Sequence, residues 1–175
     1  VVNNNVVIQN GILSLNGHQL TITNNCDVYG TLTMNNALDI LNVGGNYLDA
    51  LIFHSGSTGL FNFGTVNIYG WIRPRFGCFF SATTNNTVYF KGVTGGGPWN
   101  DEPTAVYGHM VVDKNPGERT YASASSLQPI TLLGNFTVNP NNEFELQNNT
   151  MHVNGFLTDN TSSEIYAWDT SKNSS

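Results

Sequence analysis

The chain has 175 residues, of which 39% are hydrophobic and only 10% are charged, and its formal net charge is −6. The 12 acidic and 6 basic side chains are scattered singly along the sequence, so there is no basic track and we predict no nucleic-acid partner. The sequence has no run of about 18 apolar residues, so we also predict no membrane span.

The first third of the chain alternates apolar and polar residues, which is typical of half-buried strands. Strands are predicted at 6–8, 12–15 and 20–23, separated by Gly11 and by Asn16-Gly17, a strong turn signal. Pairs of asparagines follow at 24–25, 35–36, 85–86, 141–142 and 148–149. Asparagine suits corners between strands, and stacked corners would let the amides form a ladder.

Aromatic residues are concentrated in the middle of the chain, with 10 of them between positions 53 and 90. We expect most of them in the core. Tyr69 and Trp71 alternate with Ile68 and Ile72, so they are predicted to face outward. Together with Trp99 they are candidate contacts for a carbohydrate or a protein, because aromatic rings pack well on the C–H faces of sugars.

Two segments interrupt the alternation and are predicted as loops, one at 93–105 and one at 115–126. The first is rich in glycine and proline but lacks the lysine and helix of a phosphate-binding loop. The domain is expected to cover 1–168, and 169–175 reads as a polar C-terminal tail. No window has apolar residues at helical spacing, so we predict essentially no helix.

Strand patterns recur at offsets of 21 to 25 residues along the whole chain. Leu132 and Phe136 reappear as Val153 and Leu157, and the pattern at 66–70 reappears at 88–92 and follows the one at 41–45. Such offsets predict a single-domain parallel β-helix, or β-solenoid, of roughly six to eight coils. Asp113 is expected to align with Gly92 and Gly134. At least four of six glycines are predicted to lie in or beside the stacked strands, and these six are Gly30, Gly45, Gly70, Gly92, Gly134 and Gly155.

The runs at 106–114, 130–138 and 151–157 resemble the repeats of large secreted bacterial surface proteins. Those repeats are parallel β-helix segments with glycine-centred strand motifs every twenty-odd residues. The resemblance covers about residues 10–168. It implies an exported, multi-copy and non-catalytic architecture, and it transfers no functional residues.

Enzymatic chemistry finds little support in the sequence. Polysaccharide hydrolases need clustered carboxylates, but most acidic residues here are isolated, and the adjacent pair Asp101-Glu102 would point to opposite sides of a strand. Arg73 and Arg75 form the only basic pair, and the four histidines are far apart. We therefore predict no catalytic, cofactor or metal site and no enzyme activity.

The sequence contains two cysteines and five sequons for glycosylation. Cys26 and Cys78 are predicted about two coils apart, or ~9.6 Å, which is too far for a disulfide, so both are expected as buried thiols. Sequons for glycosylation begin at Asn85, Asn135, Asn148, Asn160 and Asn173.

The function predicted from these patterns is that of an extracellular or cell-surface structural solenoid. It would be a subunit or segment of a filament, sheath, stalk or adhesin that assembles end to end with identical subunits or neighbouring coils. The first alternative is a β-helix that binds or processes a carbohydrate such as a surface polysaccharide. The second is an ice-binding or surface-recognition module, suggested by Thr21-Ile22-Thr23 and Thr31-Leu32-Thr33. The chain begins Val1-Val2 without a signal-like region, so we interpret it as processed or excised.

Overall fold

The computed structural model describes residues 1–44, 49–93, 95–122, 128–147, 149–160 and 162–168. All regular structure in these ranges is β, and the strands are paired in parallel. They stack as a single-domain β-solenoid of about 7 turns. The predicted fold class is therefore confirmed.

Each turn of the solenoid contributes one strand to each of three faces. The first face contains β1 (Val6–Ile8), β4 (Cys26–Val28), β7 (Asp49–Phe53), β10 (Trp71–Pro74), β13 (Gly97–Pro98), β16 (Arg119–Ala122), β19 (Glu143–Gln147) and β22 (Glu164–Trp168). The second face contains β2 (Ile12–Ser14), β5 (Thr31–Met34), β8 (Thr58–Phe61), β11 (Phe79–Ala82), β14 (Val106–Tyr107), β17 (Ile130–Leu132) and β20 (Met151–Val153). The third face contains β3 (Gln19–Ile22), β6 (Ile40–Val43), β9 (Gly64–Ile68), β12 (Asn86–Gly92), β15 (His109–Lys114), β18 (Phe136–Val138) and β21 (Leu157–Asp159).

The repeat offsets seen in the sequence are the registers of these strands. Leu41 pairs with Val66, and Val66 pairs with Val88, on the third face. Leu132 pairs with Val153 on the second face. Alternate residues of each strand point inward, so every turn places apolar side chains over those of the turn before it. The result is a continuous core that runs the length of the solenoid.

The core contains a cluster of aromatic rings in the middle turns. Phe53, Phe61, Phe80 and Tyr107 are all fully buried or nearly so. The rings of Phe53 and Phe80 lie 5.1 Å apart, and those of Phe61 and Phe80 lie 5.4 Å apart. Gly59 leaves the space that these rings fill. Of the ten aromatic residues at 53–90, however, only four are buried, and four are exposed, so the expectation that most of them lie in the core is wrong. The buried ones are Phe53, Phe61, Phe80 and Phe90, and the exposed ones are Phe63, Tyr69, Phe76 and Phe79.

The segment 130–138 differs from the single strand that its alternation indicates. It forms two strands, β17 and β18, on different faces, and Gly134 lies at the corner between them. Gly134 N donates to Gly108 O at 3.0 Å, and a Cβ on Gly134 would lie 2.5 Å from His109 Nδ1. The corner preserves the alternation of inward residues, and a glycine inside such a run indicates the bend and the close approach that are found here.

The expected alignment of Asp113 with Gly92 and Gly134 is wrong. Asp113 pairs with Lys91, whereas Gly92 pairs with Lys114 at the end of the same strands. Gly134 belongs to a corner that precedes β18. Successive turns differ in length. A count of 21 residues from the end of one strand therefore does not always reach the end of the next strand and can reach a corner instead.

Both segments predicted as loops contribute a strand to the first face. The 93–105 segment contains β13, which pairs with β10, and the 115–126 segment contains β16, which pairs with β19. Gly95 N donates to Arg119 O and Tyr121 N donates to Gly96 O, both at 3.1 Å. These bonds join the part of the first face that ends with β13 to the part that begins with β16.

The other predicted glycines also lie at strand ends or corners. Gly30, Gly70 and Gly155 occupy bends between adjoining strands, and Gly92 ends β12 with a φ of 86°. A Cβ on Gly30 would lie 2.6 Å from the Gly11 carbonyl oxygen, so this corner requires a close backbone approach. Gly45 and the tail at 169–175 lie outside the described residues.

Asparagines stack between turns at several corners and faces. Asn62 Nδ2 donates to Asn35 Oδ1 at 2.8 Å, and Asn67 Nδ2 donates to Asn42 Oδ1 at 2.7 Å. Asn42 Nδ2 in turn donates to Thr21 Oγ1 at 3.1 Å. The expected amide ladder thus forms over short stretches of the stack.

Cys26 and Cys78 are both buried and free, as the spacing of the turns predicts. Burial, with a smaller contribution from the negative charge of Asp27, raises the pKa of the Cys26 thiol to about 12. Burial, followed by the charge of Glu102, raises the pKa of Cys78 to about 12 as well. No helix in the described ranges is long and apolar enough to cross a membrane.

Candidate functional site

The outward side of the first face carries charged and aromatic side chains from several turns. Parallel strands lie about 4.8 Å apart, so residues one turn apart in sequence become neighbours in space. Asp27 on β4 is in register with Ile52 on β7, and Ile52 is in register with Arg73 on β10. The solenoid thereby gathers side chains that are more than twenty residues apart in the sequence.

An aspartate, a histidine and a tyrosine form a compact group at one end of this surface. His54 Nε2 lies 2.7 Å from Asp27 Oδ1, and both side chains are largely buried. The Tyr29 ring stacks on the His54 ring with centroids 3.9 Å apart and planes inclined by 10°. The carboxylate and the tyrosine together fix the orientation of the imidazole.

Arg73 is held by two carboxylates and an indole ring. Its Nε donates to Asp101 Oδ2 at 2.8 Å, and its Nη1 lies 3.4 Å from Asp49 Oδ2. The guanidinium carbon is 4.4 Å from the centroid of Trp99, a cation–π geometry. Trp99 Nε1 donates to Asp101 Oδ1 at 3.1 Å, which closes the network. Arg73 is therefore a rigid part of the surface.

Arg75 is far less constrained than Arg73. Its Nη2 lies 3.6 Å from Asp49 Oδ2, and its side chain is 41% exposed. Its Nε is buried without a hydrogen-bond partner in the structure. The exposed end of the guanidinium, which makes only this long contact among the ion pairs of the described residues, is the part of Arg75 whose N–H groups can donate to a ligand.

An open groove of about 850 Å³ runs between these groups. We call it the first-face groove, and the residues that define it are Tyr29, His54, Arg73, Arg75, Phe76 and Asp101. Phe76 projects from its side with 75% of its surface exposed. With the half-exposed Tyr29, Phe76 supplies aromatic surface at the rim of the groove.

Glu102 holds the turn that carries Phe76 through a hydrogen bond to its backbone. Gly77 N donates to Glu102 Oε2 at 2.8 Å, and the Thr104 hydroxyl donates to Glu102 Oε1 at 2.7 Å. Burial alone would raise the pKa of Glu102, but the hydrogen bonds from Thr104 and Gly77 outweigh it and lower the pKa. Cys78 N also donates to Arg75 O at 3.1 Å across the turn. Phe76 is thus presented on a rigid support.

The three aromatic residues predicted as contacts are only partly brought together. Trp71 and Trp99 pack edge to face with centroids 5.3 Å apart, and Arg73 lies over the Trp99 ring. Tyr69 instead borders a separate depression on the third face, with Gln19 and Asn42. Beside the first face, Tyr29 and Phe76 are exposed aromatic residues, at 46% and 75%.

The carboxylates that look isolated in the sequence are not isolated in the fold. Asp27, Asp49 and Asp101 all lie on the first face, each paired with a histidine or an arginine. Glu102 turns away from Asp101 toward Gly77, as expected for adjacent residues of an extended segment. In the sequence, this surface is indicated by Arg73-Pro74-Arg75, because alternate residues of a strand place both cations on the same side.

Of the predicted sequons, Asn85 is exposed, whereas the side chains of Asn135 and Asn160 bond the backbone of adjoining turns. Asn148 and Asn173 lie outside the described residues.

The described part of the chain contains no group of three or more His, Cys, Asp or Glu side chains that could hold a metal ion. The threonine row that suggests an ice-binding module is short. On the second face Thr31 pairs with Thr58, and Thr58 then pairs with Phe79 instead of another threonine.

No protein-family model matches the sequence, and comparisons with the curated proteins and with the solved structures found no match either.

Proposed function

We propose that this protein is an extracellular, non-catalytic structural solenoid that assembles end to end. The observation that carries the proposal is the exposure of inward-facing side chains on the last complete turn. Leu157 is in register with Phe136, which is 1% exposed, yet Leu157 is 60% exposed. A core position is therefore left uncovered at this end among the described residues.

The opposite end of the stack presents the complementary surface. Leu13 and Leu20 are half-buried, whereas their register partners Leu32 and Leu41 are fully buried. Both ends thus offer strands of the same three faces and apolar side chains at equivalent positions. Contact between the first turn of one copy and the last turn of another is head to tail, and such heterologous contacts produce filaments when they do not close.

Both hydrogen bonding and apolar burial favour this assembly. Among the described residues, the strands at the two ends of the stack carry backbone N–H and C=O groups without a full adjoining strand, although Val2 bonds Thr21 and Thr23 beside β3. Such groups are a known template for further pairing. Each backbone hydrogen bond gained contributes roughly 0.5–1.5 kcal/mol net. Burial of Leu157 and its neighbours adds roughly 25 cal/mol for each Å² of apolar surface removed from water.

Sedimentation velocity from the micromolar to the millimolar range tests the proposal. We expect the weight-average sedimentation coefficient of the 175-residue chain to rise with concentration. Leu157→Lys places a charge in the proposed junction and should lower the association markedly. The matched control is Thr158→Lys, which changes an exposed, outward residue of the same strand and should leave association unchanged.

A chain that stays monomeric over this range would overturn the proposal. So would equal effects of the two lysine variants, because association would then depend on charge rather than on the core position. Thermal unfolding of both variants checks that each is folded.

The extracellular and non-catalytic parts of the proposal rest on composition and on the state of the carboxylates. The low charged fraction and the abundance of Asn, Thr and Ser are typical of exported β-proteins. On the first face, Asp49 and Asp101 are both ion-paired with Arg73, so each already has a structural partner, which disfavours a role as an acid–base pair. Absence of cleavage products after incubation with polysaccharides is the expected outcome, and release of reducing ends would contradict it.

A second candidate function is carbohydrate binding at the first-face groove. The specific observation in its favour is the exposed Phe76 ring on a rigid turn beside the unsaturated Arg75. A structural solenoid with such a groove would act as an adhesin or would hold a surface polysaccharide along its length.

A further inference from the structure

We propose that the first-face groove binds a neutral oligosaccharide laid along the solenoid axis, with Phe76 as the stacking platform and Arg75 as the principal free donor. This inference rests on the carbohydrate-binding candidate above and specifies its ligand class. Four features of the groove carry it: its charge balance, its aromatic surface, its unsaturated donor and its length.

The charges around the groove favour a ligand without net charge. The carboxylates of Asp27, Asp49 and Asp101 stand among the guanidiniums of Arg73 and Arg75, so both signs of charge are present around the groove. An anionic sugar would lie beside the carboxylates, and a cationic sugar beside the arginines, so each would be opposed by like charge. A hydroxyl group both donates and accepts, so a neutral sugar can use both kinds of partner at once.

The aromatic surface is suited to a pyranose ring. Phe76 is 75% exposed, and its turn is held by Gly77 N donating to Glu102 and by Gly56 N donating to Gly77 O at 2.8 Å. The backbone of this turn is held in place, so little backbone freedom is lost when a ligand covers the ring. The C–H face of a sugar removes apolar surface of the ring from water without requiring a charge.

Donors and acceptors stand next to this platform. The Arg75 guanidinium is 41% exposed, and its one ion pair, with Asp49, is long at 3.6 Å. Its N–H groups can therefore donate to sugar hydroxyls, which in turn donate to carboxylate oxygens such as those of Asp101. Arg73 cannot play the same role because Asp101, Asp49 and Trp99 already surround it.

The groove is long enough for several sugar rings. It extends from Tyr29, which follows β4, to Gln128, which follows β16. These strands are four turns apart on the first face, so the groove spans about 19 Å along the axis. A chain of rings, rather than a single sugar, fits this length, and its affinity should rise with the number of rings.

Isothermal titration of the 175-residue chain with hexasaccharides tests the proposal. The probes are maltohexaose and cellohexaose as neutral chains and hexagalacturonic acid as the anionic chain. We expect at least one neutral hexamer to bind, more tightly than its disaccharide and more tightly than hexagalacturonic acid. Phe76→Ala should weaken this binding by roughly tenfold, the loss expected when a stacking platform is removed.

Two further variants make the test specific. Phe79→Ala is the matched control, because Phe79 is another exposed phenylalanine, 55% exposed, on the second face and away from the groove. It should leave binding unchanged. Arg75→Gln should weaken binding as well, because it removes charge and donors while keeping a side chain of similar length. Thermal unfolding confirms that each variant is folded.

Each other outcome overturns the proposal in a distinguishable way. Tighter binding of hexagalacturonic acid that depends on Phe76 would overturn the neutral ligand class while the carbohydrate-binding role stands. No binding of any hexamer would overturn both. A change in the sedimentation of Phe76→Ala without sugar binding would assign the groove to a second copy of the chain.

Discussion

At the scale of single residues, the packing of the core depends on Gly59, because its lack of a side chain leaves room for aromatic rings. Gly59 faces inward on β8, in register with Leu32 on one side and Phe80 on the other. A Cβ built on Gly59 would lie 2.6 Å from the Phe53 ring and 2.8 Å from the Phe80 ring. Those rings are packed against further aromatic residues, so they have little room to move.

We therefore predict that Gly59→Ala destabilises the protein by about 1–3 kcal/mol, the usual cost of overpacking a core. Urea unfolding measures this change in the free energy of unfolding. Thr58→Ala is the control on the same strand, because Thr58 faces outward and only loses a small side chain. Equal unfolding midpoints for the two variants would show that the aromatic cluster can absorb the extra carbon.

At the scale of strands, a buried lysine holds the end of β15 against the segment that precedes β13. Lys114 is 7% exposed, and its Nζ donates to three carbonyl oxygens, of Val93 at 2.9 Å, Gly95 at 2.6 Å and Lys91 at 3.3 Å. Burial lowers its pKa from 10.5 to about 8, partly opposed by the charge of Glu118. The ammonium thus replaces the hydrogen bonds that a regular strand would give these carbonyls.

This lowered pKa predicts a specific pH dependence. Between pH 8 and 10.5 the unfolded chain keeps the lysine proton that the folded chain releases, so folding becomes more favourable as the pH rises. Relative to Lys114→Met, the wild-type protein should gain about 1–3 kcal/mol of unfolding free energy over this interval. Cysteine titration opposes the trend, but it is common to both proteins and cancels in the difference.

Urea unfolding at a series of pH values measures this difference. Lys91→Met is the matched control, since Lys91 lies on the adjoining strand and pairs with Asp113 at the surface. Its curve should run parallel to the wild-type curve in this interval. Parallel curves for Lys114→Met as well would contradict the prediction, because they would show that Lys114 keeps an ordinary pKa when folded.

The strands differ in how readily the sequence reveals them. β9 and β12 carry large apolar residues at alternate positions, so their pairing was predictable from Val66 and Val88 alone. β16 points Thr120 and Ala122 inward, and these small residues give no apolar alternation, so the segment reads as a loop.

The first-face groove was less predictable than the strands. Its charged groups come from β4, β7 and β10 and from the segment after β13, and the sequence gives no distance between them. Arg73 and Arg75 were visible as a pair, but their partners depend on the exact register of turns of unequal length. Phe76 was visible only as one of ten clustered aromatic residues, most of which are expected in a core.

At the scale of the whole molecule, a solenoid is nearly one-dimensional, because each turn contacts only its neighbours. Cys26 lies on the second turn, where β1 alone separates its strand from the end of the stack. Cys78 precedes β11 and lies in the middle turns. Both thiols have a pKa of about 12 and are buried, so each reacts only when the structure around it opens.

We predict that Cys26 reacts with N-ethylmaleimide at least about tenfold faster than Cys78, because opening one end turn costs less free energy than opening the middle. Head-to-tail assembly would cover that end turn, so the reaction of Cys26 should slow as protein concentration rises, while that of Cys78 should not change. Mass spectrometry of quenched, digested wild-type protein measures both cysteines in one sample and needs no substitution. Equal rates would mean that the solenoid opens only as a single cooperative unit, and a Cys26 rate independent of concentration would argue against an end-to-end junction at the first turn.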